Sequence, residues 1–183
     1  MIYKTSELKK LLGGFPQINK ALEEGKYFKV SHGLYSDREP VLSELENLFA
    51  QYPNAVLTME SAFAYYEMSD CVPDKYVVAT TQKAHKILNN KVKQIYVTDS
   101  ILNIGKTTLQ TKYGVINVYD RERMVIELFR LKTKLPYSYF KEIVNSCREL
   151  VKEEKISISK LVKYCSMFKN GESIEKQIQE VIL

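Results

Sequence analysis

The chain has 183 residues, 45% of them hydrophobic and 27% charged, a balance that excludes a disordered segment and supplies enough apolar residues for a core without staples. Cys71, Cys147 and Cys165 form no Cys-x-x-Cys pair and stand beside no histidine, which argues against a zinc site or a disulfide framework and for free thiols in a reducing cytoplasm. The opening MIYKTSELKK has no apolar run of signal-peptide length, and no stretch approaches about eighteen uncharged apolar residues, so neither a secretory signal nor a membrane span is expected.

The net charge of +5 is unevenly spread. Residues 1–35 carry six Lys against three acids, and residues 83–112 six Lys against one Asp. Residues 36–82, between them, carry two basic residues against eight acids. Two basic regions separated by an acidic one suit a polyanion, and equally suit a solvated Lys-rich surface.

In chain order, Thr5 to Leu12 reads as a short helix capped by Thr5, with Leu8, Leu11 and Leu12 as its apolar stripe and Gly13-Gly14 as its end. Phe15-Pro16 opens a second helix, Pro16 being tolerated in a first turn, with Ile18, Ala21 and Leu22 inward and Gly25 as its stop. A strand from Lys26 to Val30, a turn at Ser31-His32-Gly33 and a return through Leu34-Tyr35 follow. Helix, glycine turn, helix and β-hairpin is the order of a winged helix-turn-helix. Such a unit usually begins with a further helix. The amphipathic segment 43–51, with Leu45, Leu48 and Phe49 inward, is the candidate to complete it, across a linker at Ser36 to Pro40.

Beyond Asn54 the pattern predicts a short strand at Ala55 to Leu57 and a helix from the Thr58 cap to Met68. Strands are expected at 76–80 and 94–98, with 82–90 a short helix or a loop. A hairpin is expected around Tyr113-Gly114, joining 107–112 to 115–119. After Asp120 the chain reads as helical. Asp120 caps a helix with Met124, Val125, Leu128 and Phe129 on one face, and Pro136 precedes a helix at 137–151. Ser157 or Ser159 starts another, to about Phe168, Asn170-Gly171 stops it, and Ser173 caps the last. The expected class is α+β: residues 1–37 as a winged helix-turn-helix, then 54–183 as an α/β domain with a small mixed sheet and a helical end.

In a helix-turn-helix the second helix enters the major groove and its N-terminal residues reach base edges. Here these are Gln17, Asn19 and Lys20. Gln and Asn pair bidentately with adenine, and Lys reaches guanine acceptors. Lys9 and Lys10 on the first helix, and Lys26 and Lys29 around the hairpin, suit phosphates, while His32 at the hairpin tip is placed for a minor groove. The alternative is a small α/β unit with solvated lysines. Signals for an enzyme are thin: His32 and His85 are far apart, and no phosphate-binding glycine loop or nucleophile elbow occurs. Asp99 with Gln110-Thr111-Lys112 resembles a metal-dependent nuclease arrangement faintly, with glutamine where the second acid should be. Asp120-Arg121-Glu122-Arg123 reads either as a capped helix start tied to the sheet or as a phosphate contact.

Three stretches together resemble the AbiEi family, the antitoxins of type IV toxin–antitoxin and abortive-infection systems. Residues 22–35, LEEGKYFKVSHGLY, are similar to that family's helix end and wing. Residues 54–62, NAVLTMESA, resemble the opening of its second domain, and 118–123, VYDRER, its strand followed by Glu-Arg at a helix start. The resemblance implies a cytoplasmic repressor that binds double-stranded operator DNA and regulates its own operon. It also implies a C-terminal domain that counteracts a nucleotidyltransferase-like toxin without a stable complex. It brings no catalytic residue, metal or cofactor, and the chain is expected to be a monomer or weak dimer and not an enzyme. A module that binds a toxin directly through 54–183, and a nuclease built on Asp99 and Lys112, are the alternatives.

Overall fold

A computed structural model describes residues 1–31, 33–38, 43–111 and 114–183. His32, Lys112, Tyr113 and the linker residues 39–42 lie outside the described residues. The chain is α+β and divides into two compact units, one comprising residues 1–54 and 108–116, the other 55–107 and 117–183.

In the first unit, strand β1 (Ile2–Lys4) leads into α1 (Thr5–Leu12) and α2 (Phe15–Glu23), followed by β2 (Phe28–Ser31) and β3 (Leu34–Ser36). β3 is the middle strand, antiparallel to both neighbours, with Tyr3 opposite Tyr35 and Lys29 opposite Tyr35. Gly13 ends α1 in the left-handed conformation (φ +97°), its N–H donating to the Lys9 carbonyl at 2.8 Å. Leu8, Ile18 and Tyr35 form the core of this unit, with Tyr3, Leu12, Leu22 and Tyr27 packed around it. Burial of Leu8 and Ile18 is worth about 1.5–3 kcal/mol each. The residue layer beside α1 thus comes from β1 and β3, through Tyr3 and Tyr35. Helix α3 (Glu44–Gln51) buries its own Leu48 and Phe49 and contributes nothing to that cluster.

Thr5 is not the cap of α1. Its N–H and hydroxyl both donate to the Gly33 carbonyl (2.9 and 3.2 Å), and the Glu7 carboxylate accepts the Lys4 N–H at 2.7 Å instead. Leu11, expected inward, is 60% exposed, because α1 turns its buried face through Leu8 and Leu12.

The second unit is built on a sheet ordered β6-β5-β4-β8-β7, from β4 (Val56–Leu57), β5 (Tyr76–Thr81), β6 (Val92–Val97), β7 (Lys106–Gln110) and β8 (Val115–Tyr119). The ends of β7 and β8 belong to the first unit. β4 pairs antiparallel with β5 and parallel with β8, and β5 pairs parallel with β6, so the sheet is mixed. Helix α4 (Met59–Tyr65) stops short of Met68, because Glu67 adopts φ +56° and the helical path cannot continue through it. Residues 82–90 hold no helix. A short helix α5 (Asp99–Leu102), unsignalled by any long periodic run, follows β6.

Helix α6 (Arg121–Arg130) is the centre of the second unit, with every residue from Glu122 to Phe129 buried. It packs against α4, α7 (Tyr137–Lys152), α8 (Ile158–Cys165) and α9 (Gly171–Val181). Asp120 caps α6, accepting the Arg123 N–H at 2.9 Å, and Ser157 caps α8, accepting the Lys160 N–H. The last helix begins at Gly171 and not after Ser173. A Cβ on Gly171 would lie 1.8 Å from the Cys165 carbonyl oxygen, so glycine lets the chain enter α9 directly against the end of α8.

Candidate nucleic-acid interface

Helices α1 and α2 of the first unit meet at Gly13-Gly14, and Gly14 (φ +145°) precedes α2. α2 buries Ile18 and Ala21, and Gln17, Asn19 and Lys20 are exposed, Gln17 and Lys20 as neighbours one turn apart and Asn19 on the other side of Ile18. Phe15, 51% exposed, lies beneath the Lys9 ammonium, which stands 3.7 Å from its ring centroid. Lys9 therefore braces the α1–α2 turn while keeping its charge at the surface. Lys10, Lys26 and Lys29 are exposed.

The predicted contact residues fall into two groups. Lys20 and Lys26 are brought together by Glu24, which lies 3.9 Å from the Lys20 ammonium and 2.7 Å from that of Lys26. The hydrogen bond to Glu24, with its negative charge, raises the Lys26 pKa. Lys29 stands on β2, opposite Tyr35, and is not in an ion pair with Glu24. His32 lies outside the described residues. Glu24 is the feature that the sequence reading passed over as a helix end. Its spacing of four from Lys20 was the available signal.

In the second unit, Asp120-Arg121-Glu122-Arg123 resolves into a structural clamp. The Arg123 side chain is fully buried. Its Nε donates to Glu127 at 2.8 Å, and Nη1 donates to the carbonyls of Ile101 (2.6 Å) and Ile104 (2.9 Å). The guanidinium lies between the rings of Tyr119 (4.3 Å) and Phe168 (4.7 Å). Glu122 accepts from the Ser157 N–H (2.9 Å) and the Lys160 ammonium (3.0 Å), and Asp120 accepts from Tyr164 and Lys160 (3.0 Å each). Burial pushes the Lys160 pKa down, but its hydrogen bonds to Asp120 and Glu122 outweigh that and hold it above the ordinary lysine value. Arg121 covers the Tyr66 ring at 4.7 Å. These residues tie α6 to the sheet and to α8.

Asp99, the acid of the nuclease reading, is exposed at the start of α5 and pairs with Lys83 at 3.7 Å. Its proposed companion Lys112 lies outside the described residues. Among the described residues no group of three or more His, Cys, Asp or Glu is placed to hold a metal ion, and no helix is long and apolar enough to cross a membrane. Of the other lysines in 83–112, Lys93 pairs with Glu60 at 3.1 Å.

Compared with protein-family models and with curated proteins, the chain has no significant match to either.

Proposed function

We propose that this chain is a cytoplasmic, DNA-binding repressor and antitoxin of the AbiEi type. The first unit acts as a short winged helix-turn-helix on double-stranded operator DNA, and the second counteracts a nucleotidyltransferase-like toxin. The observation that carries the reading is the order of elements: a nine-residue helix set behind a double-glycine turn exposes Gln17 and Lys20 as neighbours one turn apart, with Asn19 also exposed, and an antiparallel strand pair bearing Lys29 follows. Gln17 and Asn19 supply donor–acceptor pairs for base edges. Lys20 reaches guanine acceptors, Lys9, Lys10, Lys26 and Lys29 supply charge for phosphates, and Lys9 also stiffens the turn between α1 and α2. The resemblance of residues 22–35, 54–62 and 118–123 to AbiEi antitoxins supports the second half of the proposal.

The test is a titration of the purified chain, as monomer or weak dimer, against the DNA upstream of its own gene, at two salt concentrations and beside scrambled DNA. Binding that prefers the native sequence and weakens with salt, by a slope of about −0.9 per phosphate contact, supports the reading. Replacing Lys20 and Lys29 together with Ala should cost about 1–3 kcal/mol of operator binding. Equal affinity for scrambled DNA, or an unchanged double variant, overturns it. Rescue of growth on co-expression with the neighbouring toxin gene tests the antitoxin half separately.

A further inference from the structure

Away from the first unit, the second carries a cleft of about 620 Å³ that neither the repressor nor the antitoxin reading uses. The volume falls within the roughly 300–1,000 Å³ typical of small-ligand sites. Its walls come from three separated stretches of chain: Thr98 to Ile101, Phe129 to Lys132, and Met167 to Gln177. Three cations line it, Arg130, Lys132 and Lys169, and no carboxylate does. Of the nearby acids, Glu172 in the first turn of α9 is exposed and does not line the cleft, and two others are paired. Glu127 holds Arg130 from behind, and Asp99 pairs with Lys83. Neither Lys132 nor Lys169 has an ion-pair partner among the described residues, whereas Lys160 in the same unit is neutralised by both Asp120 and Glu122.

The neutral lining completes an anion-binding set. Lys132 donates to the Gln177 side-chain carbonyl, and the Gln177 amide donates to the Ser173 hydroxyl (3.3 Å) and carbonyl (3.0 Å). That chain fixes Lys132 and leaves the Ser173 hydroxyl proton free to donate outward. Ser173 and Asn170 sit at the start of α9, where Asn170 caps with no side-chain hydrogen bond; the Gly171 N–H donates to the Phe168 carbonyl at 3.0 Å, and the amides of Glu172 and Ser173 have no intrahelical acceptor. Thr98 and Ser100 also line the cleft, their hydroxyls 3.4 Å from each other. Arg130 is already paired with Glu127, whereas Lys132 and Lys169 have no counter-charge among the described residues, so an anion in the cleft is stabilised by both lysines. Phosphoryl oxygens accept from ammonium, guanidinium, hydroxyl and amide donors alike, which is the mixture present.

We propose that this cleft binds a phosphate-bearing small molecule, with its phosphoryl oxygens on Lys132, Lys169 and Arg130 and on the donors at the start of α9. The shared chemistry of free phosphate, inorganic polyphosphate and nucleotides is the phosphoryl group, and the assay separates them.

The experiment is calorimetric titration of the full chain with inorganic phosphate, pyrophosphate, ATP and, as the uncharged counterpart, adenosine. Saturable binding of the phosphorylated compounds and none of adenosine is the expected result. Pyrophosphate matching ATP assigns the site to inorganic polyphosphate, and tighter binding of ATP assigns it to a nucleotide. Lys132→Ala with Lys169→Ala should weaken binding by about tenfold or more, with an unchanged melting temperature, as loss of two charged donors implies. Lys141→Ala, exposed on α7 and outside the cleft, should leave it intact. Adenosine binding as well as ATP, no binding of any phosphorylated compound at millimolar concentration, or equal weakening by Lys141→Ala overturns the proposal. So does a double variant that loses operator affinity and keeps its metabolite affinity, which makes the cleft a nucleic-acid contact.

Discussion

Glu24 and Lys26 form an exposed ion pair of 2.7 Å at the exit of α2, and Lys20 reaches the same carboxylate at 3.9 Å. One acid therefore sits between a lysine that the repressor reading assigns to a base edge and one it assigns to a phosphate, and DNA must compete with it for both. Glu24→Gln removes the competitor and leaves the side-chain volume unchanged. Operator affinity should rise a few-fold at low salt, and the gain should shrink as salt rises, since exposed pairs are screened. A fluorescence-anisotropy titration at two salt concentrations reads this. Weaker binding would mean that Glu24 itself positions the lysines.

The clamp on Arg123 makes a stronger claim about stability. Arg123→Met keeps much of the side chain's volume but leaves the carbonyls of Ile101 and Ile104 without their donor and takes one partner from buried Glu127. Breaking a buried pair of this kind costs about 3–5 kcal/mol. Urea unfolding should show a large fall in midpoint with little change in slope. A loss below about 1 kcal/mol would mean the guanidinium is not needed to hold α6 to the sheet.

Two glycines with positive φ separate strain from crowding. At Gly13 (φ +97°) an added Cβ meets nothing within 4 Å, whereas at Gly105 (φ +71°) it would lie 2.4 Å from the Arg123 Cβ and 2.9 Å from an Asp120 carboxylate oxygen. Gly13→Ala should cost about 1 kcal/mol, the backbone term alone, and Gly105→Ala about 2–4 kcal/mol, the backbone term plus overpacking. Chemical denaturation of the two variants side by side measures the difference. Equal costs would show that α6 yields to the added methyl.

Alkaline pH should unfold the protein from within. Burial pushes the Cys147 thiol up to about 12 from an ordinary 9.0, and the Tyr119 phenol, also buried, up to about 12 from 10.0. Between those values the unfolded chain has shed protons that the folded chain keeps. Stability from these groups is therefore complete below about pH 9 and falls as pH rises toward 12. The slope reaches about 1.4 kcal/mol per pH unit for each group. Unfolding midpoints at pH 8, 10 and 11 test this. A flat profile would show that both groups ionise in place.

The elements legible in the sequence were those with punctuation. Gly13-Gly14, Asp120, Pro136 and Ser157 mark ends that local chemistry decides, and the structure has helix boundaries at each. Short elements escaped: β1 has three residues and α5 four, too few for a period to show. The segment 82–90 has helix-forming residues but no helix, and tertiary hydrogen bonds run there instead, Gln94 accepting from the Ile87 N–H and donating to the His85 carbonyl. Burial of Arg123 was hidden because a run of charged residues at a helix start reads as surface. The partners that make it a core residue, Ile101, Ile104 and Phe168, are distant in sequence. The cationic cleft was hidden for the same reason: Lys132 and Lys169 carry no motif, and only folding places them on one cavity.

The parallel pairing of Leu57 with Val118 sets an order on synthesis. A ribosome releases β4 roughly sixty residues before β8, a wait of several seconds at about 5–20 residues per second. Once β5 has followed, the nascent chain holds β4 with β5 available on one side and β8 still missing from the other. Val56 and Leu57, the most apolar pair of that ladder, then border an open edge able to pair with another chain. Translation cut short before Val115 therefore leaves β4 with an unpaired edge of the kind that promotes aggregation.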